Sequence, residues 1–218
     1  MSVLSLNNVS FSYGSKKVLS DISFQFEKGK MYAIMGQSGA GKTTLLSLLS
    51  GLAKADSGEI LYEDKNINEI NRYDYRSRYV GVVFQNFNLL TKFTAAENIE
   101  LSMDISGIKL KGKEKREQAY NLLSKMGLEQ DEADRRILKL SGGQQQRVAI
   151  ARAISYNPDI ILADEPTGNL DEQTQEEIME IFKGLRDEGK CVIIVTHSQS
   201  VARKCDKIYQ LVKNTKKQ

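Results

Sequence analysis

The stretch GQSGAGKTT, residues 36–44, restricts the fold more than any other part of the chain. It follows the apolar segment KMYAIMG and leads into GKTTLLSLLSG, whose leucines recur at helical spacing up to Gly51. A turn that matches G-x-x-x-x-G-K-[ST] at every fixed position, between a strand and a helix, surrounds a polyphosphate with backbone N–H groups. The sequence therefore predicts a P-loop after a buried strand.

The residue types of this predicted P-loop explain how it would bind a nucleotide. Its glycines let the backbone pass close to phosphate oxygens, and the helix that follows directs its positive end toward them. We expect Lys42 to reach the β and γ phosphates and the Thr43 hydroxyl to bind Mg²⁺, which prefers oxygen ligands. The predicted nucleotide-contacting residues of the loop are Gly36, Gln37, Ser38, Gly39, Ala40, Gly41, Lys42, Thr43 and Thr44.

Two adjacent acids follow a second apolar run, in DIILADEP. Asp164 ends a predicted buried strand, where we expect it to hold Mg²⁺ directly or through water. Glu165 comes next and is expected to polarise an attacking water. A purely structural role for the two acids would need cationic partners, because burying an unpaired carboxylate costs several kcal/mol.

The segment LSGGQQQR, residues 140–147, predicts a second helix start that is open to an anion. Ser141 followed three residues later by Gln144 is a capping box, and two glycines occupy the first turn. Glycine lowers helix propensity, so the pair is better explained if another group must approach the backbone there. The chain thus has two phosphate-receptive helix starts but one P-loop.

His197 is the only histidine of the chain and follows the apolar run CVIIVT. The run predicts a strand buried on both faces, so the imidazole lies at a strand's carboxyl end, where open α/β sheets bind ligands. The alternative is a histidine that is hydrogen-bonded beside the core, and this stretch by itself favours that interpretation.

Apolar segments and helical patterns alternate along most of the chain. Strands are predicted in VLSLNNVSFSY, ISFQFEKG, KMYAIMG, GEILYEDKNI, YVGVVFQ, DIILAD, CVIIVT and KIYQLV, with helices between the later ones. Residues 94–139 instead show apolar residues at helical spacing, which predicts a helical insert. Strands that alternate with helices favour an α/β fold with a mostly parallel sheet.

The composition narrows the class of protein. A net charge of +3 is too slight a basic excess to indicate nucleic-acid binding, and two cysteines form no disulfide framework. We find no secretory signal and no span of about 20 apolar residues. We therefore expect a soluble protein of a reducing compartment, whose action at a membrane would need another polypeptide.

The ordered set GQSGAGKTT, VGVVFQ, LSGGQQQR, ILADEPTGNLD and IIVTH resembles the ATPase subunit of ABC transporters over essentially the whole chain. The resemblance implies a P-loop NTPase core of the RecA-like type, an N-terminal antiparallel β-subdomain and an inserted α-helical subdomain. Residues 1–218 would form one domain, with 89–140 as the helical subdomain between 1–88 and 141–218. It also implies ATP and Mg²⁺ as cofactors, ATP hydrolysis, and a head-to-tail homodimer with two composite sites.

The same resemblance implies roles for individual residues. His197 would contact the γ-phosphate and join Glu165 in catalysis, and Gln85 would sense Mg²⁺ and water. Asp171 would couple the two sites, although it also fits the N-cap of the next helix. Tyr13 would stack on adenine, the alternative being a tyrosine at a strand end.

The metal ligands would be Thr43, Gln85 and Asp164. The residues that close over the other protomer's nucleotide would be Ser141, Gly142, Gly143 and Gln144.

Further motifs, QQQR, EPTGNLD and VFQNFNLLTKFTAAENI, resemble the branch that includes MacB, LolD, FtsE and the ATPases of bacitracin-type resistance systems. This branch implies a separate membrane permease, a periplasmic-type adaptor and attachment to the cytoplasmic face of the membrane. Export of, or resistance to, antimicrobial peptides or drugs is the first expectation, and lipoprotein release or FtsE-like regulation is the alternative. Relatives often have proline where Thr91 and Lys92 follow Leu90 here.

Rival functions are disfavoured by what the sequence contains. A soluble ABC ATPase of DNA repair or translation usually brings a long coiled-coil insertion or a second ATPase domain, and a nucleotide kinase would not need LSGGQ. The apolar residues Phe87, Leu89 and Leu90 after Gln85 fit equally a groove for a permease helix and the core.

Overall fold

A computed structural model describes residues 2–212, which form a four-stranded antiparallel sheet and a five-stranded parallel sheet. The antiparallel sheet has the order β2-β1-β4-β5 and the parallel sheet the order β6-β7-β8-β3-β9. The strands are β1 (Ser2–Tyr13), β2 (Lys16–Glu27), β3 (Lys30–Gly36), β4 (Ser57–Tyr62), β5 (Lys65–Asn66), β6 (Val80–Val83), β7 (Ile160–Asp164), β8 (Cys191–Val195) and β9 (Lys207–Leu211).

Helices cover the parallel sheet and fill the segment between β6 and β7. They are α1 (Lys42–Leu49), α2 (Arg72–Asp74), α3 (Ala95–Ile105), α4 (Gly112–Lys125), α5 (Gln130–Ala133), α6 (Gly142–Ile154), α7 (Glu172–Asp187) and α8 (Gln199–Ala202). A π-helical turn, Tyr75–Tyr79, continues α2 into β6, and a 3₁₀ turn, Ile137–Lys139, precedes α6. No helix within residues 2–212 is both long and apolar enough to span a membrane.

The parallel strands read as continuous apolar runs because both of their faces are buried. In β7, Ile161 and Ala163 join a cluster that contains α3, α4, α6 and α7. The alternate residues Ile160 and Leu162 join a second cluster that contains α1 and the antiparallel sheet. Each fully buried aliphatic side chain contributes about 1.5–3 kcal/mol, so both layers hold the sheet in place.

The helical segment is fixed at its start by local hydrogen bonds and between its first two long helices by an ion pair. Thr94 and Glu97 form a capping box at the start of α3. The buried Asn98 side chain accepts from the backbone N–H of Leu90 (2.8 Å) and donates to the carbonyl oxygens of Leu90 (3.2 Å) and Thr94 (2.9 Å). Arg116 on α4 forms an ion pair with Glu100 on α3 (2.5 Å). These contacts place the helices that pack on α6, whereas the predicted boundaries at residues 89 and 140 stay a prediction.

Two glycines of this fold provide opposite tests of the packing. A Cβ on Gly81 in β6 would lie 2.3 Å from the carbonyl oxygen of Ala153 in α6, whereas a Cβ on the exposed Gly184 in α7 would meet nothing within 4 Å. We expect Gly81→Ala to lower the free energy of unfolding by about 1–3 kcal/mol. Gly184→Ala is expected to raise it by about 0.5–1 kcal/mol, because alanine is the better helix former.

Urea denaturation of both variants and of the parent chain measures these differences. An unchanged midpoint for Gly81→Ala would contradict the close contact between β6 and α6.

Candidate nucleotide-binding site

Hydrogen bonds between parallel strands bring the predicted motifs to one edge of the sheet. Ile34 of β3 pairs with Val195 of β8, which pairs with Asp164 of β7. The ladder continues past the strand ends, since the Glu165 N–H donates to the Val195 carbonyl (2.9 Å) and the Thr196 N–H donates to the Ile34 carbonyl (3.1 Å). The P-loop, the two acids and the histidine segment therefore leave the sheet side by side.

The P-loop is shaped by packing as well as by hydrogen bonds. The Lys42 ammonium donates to the Gly36 carbonyl (2.9 Å), which folds the side chain back over the loop. Gly41 has φ of 94°, a left-handed conformation that disfavours side chains. A Cβ there would also lie 2.8 Å from Leu19 and 2.9 Å from Val18 of β2. The fold thus requires glycine at position 41, whether or not a ligand is bound.

Thr43 and Asp164 form a pair of oxygen ligands beside this loop. The Thr43 hydroxyl donates to the Asp164 carboxylate, with Oγ1 and Oδ2 3.4 Å apart. Burial raises the pKa of Asp164, the Glu165 charge raises it further, and the hydrogen bond from Thr43 opposes both. Within residues 2–212 no group of three or more His, Cys, Asp or Glu side chains is arranged to hold a metal. The pair fits Mg²⁺, which takes oxygen ligands and completes its shell with phosphates and water.

Glu165 is held in a defined position by the histidine segment. Its carboxylate accepts from the Thr196 hydroxyl (3.1 Å) and lies 2.8 Å from Nδ1 of His197. The Glu165 side chain is 12% exposed, whereas that of His197 is 72% exposed. If Nδ1 carries the proton that faces the carboxylate, Nε2 stays free for a ligand. The exposure of its side chain does not fit the interpretation of His197 as a histidine beside the core, and its role at the γ-phosphate stays a prediction.

The backbone at Glu165 is strained. Its φ is 46°, a conformation that costs a non-glycine residue about 1–3 kcal/mol and persists only where the surroundings impose it. A turn closed by the Gly168 N–H, which donates to the Glu165 carbonyl (3.1 Å), follows at once. This turn brings Gly168 close to Gln85, because a Cβ on the glycine would lie 3.7 Å from Nε2 of the glutamine.

The residues after Gln85 divide between core and surface. Phe87 and Leu89 are partly buried and pack against the helical cluster, which supports the core interpretation for both. Leu90 is 45% exposed. A place for Leu90 in a groove for a permease helix stays a prediction.

One cavity of about 540 Å³ collects most of the predicted site. Its lining includes Tyr13, Ser38, Gly39, Gly41, Lys42, Thr43, Thr44, Gln85, Asp164, Glu165 and His197. It also includes Lys16, Lys17 and Val18, which sequence reasoning missed. The signal that would have found them is the basic pair KK three residues after Tyr13, at the turn of the β1–β2 hairpin. Tyr13 is 60% exposed at the cavity edge and packs edge-to-face on Phe11, with ring centroids 4.9 Å apart.

Three predicted P-loop residues lie outside that lining and shape the loop instead. Ala40 is buried, and Gln37 accepts the Ala40 N–H at its carbonyl (3.0 Å). Gly36 packs against β9, since a Cβ there would lie 2.8 Å from the Leu211 carbonyl oxygen.

The segment LSGGQQQR, residues 140–147, which we call the signature segment, forms the capping box that its sequence predicts. The Gln144 N–H donates to the Ser141 hydroxyl (3.2 Å), and the Ser141 N–H donates to Oε1 of Gln144 (2.9 Å). The Gln144 amide also donates to Glu132 of α5. None of the residues 141–144 lines the nucleotide cavity of its own chain.

The two signature glycines differ in what requires them. A Cβ on Gly143 would lie 2.7 Å from the Thr174 methyl group in the first turn of α7, so internal packing already demands glycine there. A Cβ on Gly142 would make ordinary contact, 3.8 Å from Leu170, and this residue is exposed. Gly142 is therefore the position whose glycine the fold itself leaves unexplained.

Asp171 caps α7, as its position before that helix predicts. Its carboxylate accepts from the Thr174 N–H (3.0 Å) and the Thr174 hydroxyl (2.6 Å). The hydrogen bonds from Thr174 lower the pKa of Asp171. Its coupling role across a dimer stays a prediction.

Comparison with known proteins shows which family the chain belongs to. A profile of the ABC transporter family matches residues 19–168. The chain is a member of the ABC transporter family. It is the ATP-binding, ATP-hydrolysing subunit, and the predicted fold class is confirmed.

Individual relatives of this ABC ATPase cover nearly its whole length. YclH of Bacillus subtilis strain 168, an uncharacterized ABC transporter ATP-binding protein, is 46% identical over 94% of the chain and 92% of its own length. LolD of Francisella tularensis subsp. tularensis strain FSC 198, a lipoprotein-releasing system ATP-binding protein, is 42% identical over 96% and 94%. The predicted branch is consistent with both.

Solved structures of ABC transporter cassettes also match nearly the whole chain. The dimeric cassette MJ0796, a bacterial ABC transporter cassette, superposes with a TM-score of 0.88 at 40% identity over 96% of this chain and 94% of that one. A dimeric post-hydrolysis state of MJ0796 with ADP and Pi superposes with a TM-score of 0.87 at 38% identity over 97% and 96%.

The contact between Gly143 and Thr174 can be tested by a double-mutant cycle. Gly143→Ala is expected to destabilise the protein by about 1–3 kcal/mol, since the new methyl group meets the Thr174 methyl group. Thr174→Ser removes that methyl group and keeps the hydroxyl for Asp171. Combining it with Gly143→Ala should therefore recover about 1 kcal/mol of the lost free energy of unfolding. Urea denaturation of the four forms gives the coupling energy, and additive losses would show that the two residues do not interact.

Proposed function

We propose that this ABC ATPase works as a head-to-tail homodimer with two composite ATP sites and drives a separate membrane permease. The observation that carries the proposal is that the signature helix starts at the exposed Gly142 and that this start does not line the nucleotide cavity of its own chain. A second copy would bring that helix N-terminus to the terminal phosphate on the P-loop. The MJ0796 cassette, which is similar over nearly the whole chain, is dimeric.

Within one composite site, we assign the phosphates to the P-loop N–H groups and to Lys42, which would exchange its bond to the Gly36 carbonyl for phosphate oxygens. Thr43 and Asp164 would hold Mg²⁺, which neutralises charge on the β and γ phosphates when bound. Gln85, beside Gly168, would complete this shell and report on it to the helical segment. Tyr13 would stack on the adenine.

Hydrolysis would use the acid and the histidine as one unit. Glu165 accepts a proton from water, the water oxygen forms a bond to the γ phosphorus, and the bond to the β–γ bridging oxygen breaks to leave ADP and phosphate. His197 keeps the Glu165 carboxylate in place through Nδ1 and presents Nε2 to the γ-phosphate. Asp171 would act at the interface between the two copies in addition to capping α7.

The work driven by ATP depends on the permease. The branch motifs favour a MacB-like system, with a periplasmic-type adaptor, that exports or resists antimicrobial peptides or drugs. Lipoprotein release is the second candidate, because the LolD relatives of lipoprotein-releasing systems are 42% identical over 96% of the chain. In either system, the ATPase would be held at the cytoplasmic face of the membrane by its permease.

Crosslinked purification from native membranes, with mass spectrometry of the captured proteins, separates these candidates. A permease together with an adaptor supports MacB-like export, and a permease without one favours lipoprotein release, peptide resistance or FtsE-like control. Capture of soluble proteins alone would contradict the transporter assignment.

The composite site predicts a trapped dimer. In Glu165→Gln, the amide cannot take the proton from water, so ATP with Mg²⁺ should accumulate a species of twice the 24.5 kDa chain mass while ATP consumption falls at least about a hundredfold. Multi-angle light scattering measures the mass. Glu188→Gln, the same change at an exposed position, should leave the chain hydrolysing ATP without a trapped dimer.

A second substitution tests which surface closes the site. Gly142→Asp places a carboxylate in the first turn of α6, where the helix dipole favours it by about 0.3–1 kcal/mol and a Cβ makes no clash. The protein should therefore fold, but the carboxylate would repel the partner's phosphates. Glu165→Gln with Gly142→Asp is expected to remain monomeric at saturating ATP, and a persistent dimer would refute the assignment of Gly142.

A further inference from the structure

The side-chain amide of Gln144 is held between two partners of different kinds. Its Oε1 accepts from the backbone N–H of Ser141 (2.9 Å), and its Nε2 donates to Oε1 of Glu132 on α5 (2.5 Å). If the amide turned over, its NH₂ group would face the Ser141 N–H and its oxygen would face the carboxylate. The two contacts therefore permit one orientation of the Gln144 amide, and the Glu132 carboxylate selects it.

Glu132 itself lies on an anchored part of the helical segment. Its other carboxylate oxygen, Oε2, accepts from the Glu129 N–H (2.8 Å) and so completes the capping box of α5. The Tyr120 hydroxyl of α4 donates to Asp134 at the end of α5 (2.8 Å), and Ala133 between the two acids is buried. The position of the Glu132 carboxylate is therefore set by α5 as well as by Gln144.

No basic side chain takes up the charge of Glu132. Among residues 2–212, no Lys, Arg or His nitrogen lies within 4.0 Å of its carboxylate. The residue is half-buried, and the Gln144 amide donates a charge-assisted hydrogen bond to it. Such a bond is stronger than one between neutral groups, so the acid restrains Gln144 more firmly than a neutral acceptor would.

This restraint acts on the groups that the signature segment offers to a phosphate. The Ser141 hydroxyl accepts from the Gln144 backbone N–H (3.2 Å) and donates to no residue in the described part of the chain. Its proton is therefore available to an anion. The N–H groups of Gly142 and Gly143 are available too, because the first N–H groups of a helix have no partner within it. The capping box orients these three donors, and Glu132 holds the glutamine half of that box.

We propose that Glu132 is a positioning residue for the composite ATP site. It fixes the Gln144 amide and thereby directs the donors of residues 141–143 toward the terminal phosphate on the partner's P-loop. This inference rests on the proposed function and adds a residue outside the signature segment to the site. Since Glu132 does not line the nucleotide cavity of its own chain, it acts on the site whose P-loop belongs to the other chain.

The test separates an effect on the signature segment from an effect on the fold. Lys42→Ala disables the P-loop, so a chain with this change contributes only its signature segment to an active site. Gly142→Asp disables the signature segment, so a chain with that change contributes only its P-loop. The ATPase rate of an equal mixture of these two full-length variants is the reference.

Glu132→Ala is then added to one chain or to the other. In the Lys42→Ala chain it alters the signature segment that is in use. The rate of the mixture should therefore fall about tenfold, because the donors are no longer held at the terminal phosphate. In the Gly142→Asp chain it alters a signature segment that is already disabled, so the rate should stay at the reference. A general loss of folding would lower the rate in both arrangements.

Glu129→Ala in the Lys42→Ala chain is the matched control. It removes the other half of the α5 capping box, and Glu129 forms no hydrogen bond with Gln144. We therefore expect the reference rate. Urea denaturation of the Glu132→Ala and Glu129→Ala chains should give similar losses of stability, since each change removes one half of the same cap.

Three results would overturn the inference and leave the proposed function intact. They are an equal loss of rate from Glu132→Ala in either chain, no loss in the Lys42→Ala chain, and an equal loss from Glu129→Ala. No ATPase recovery in the reference mixture would overturn both.

Discussion

The register of three parallel strands is the constraint on which the rest of this ABC ATPase depends. Ile34, Val195 and Asp164 lie in one row across β3, β8 and β7. A shift of one residue would turn Asp164 toward the opposite face and separate it from Thr43. The register is fixed because alternate side chains of these strands pack into two separate buried clusters, so a slip of one residue would move each side chain into the wrong cluster and disrupt its packing. Packing of the core thus sets the geometry of the site.

The second half of the proposed site is built by a different kind of interaction. Local hydrogen bonds between Ser141 and Gln144 start α6, and Thr174 packs on Gly143 to fix that start against α7. Since Asp171 caps α7 through the same Thr174, this residue joins the signature segment to the loop before α7. What this contact leaves exposed is Gly142. The P-loop and the signature segment thus form two half-sites that do not meet within one chain. A head-to-tail dimer requires this arrangement.

Much of this structure was predictable from sequence because the signals are local. The apolar run before Asp164, the P-loop between strand and helix, and the capping box at Ser141 each depend on a few neighbouring residues. Other features depend on contacts between distant parts of the chain, which no local pattern encodes. Lys17 reaches the cavity because the β1–β2 hairpin folds over the P-loop, and Arg152 contacts a carbonyl 64 residues away. The sequence predicts that another group approaches the glycine pair closely, and the structure shows that for Gly143 this group is Thr174 of the same chain.

The central claim, that one site is shared by two chains, is tested most directly by mixing two inactive variants. Lys42→Ala spoils the P-loop and Gly142→Asp spoils the signature, so each homodimer has no complete site. In an equal mixture, half of the dimers contain one chain of each variant. One of the two sites in such a dimer joins the intact P-loop of one chain to the intact signature of the other. The account predicts recovery of up to about a quarter of the parent ATPase rate, since one site in four is complete. A mixture no more active than its two components would contradict it.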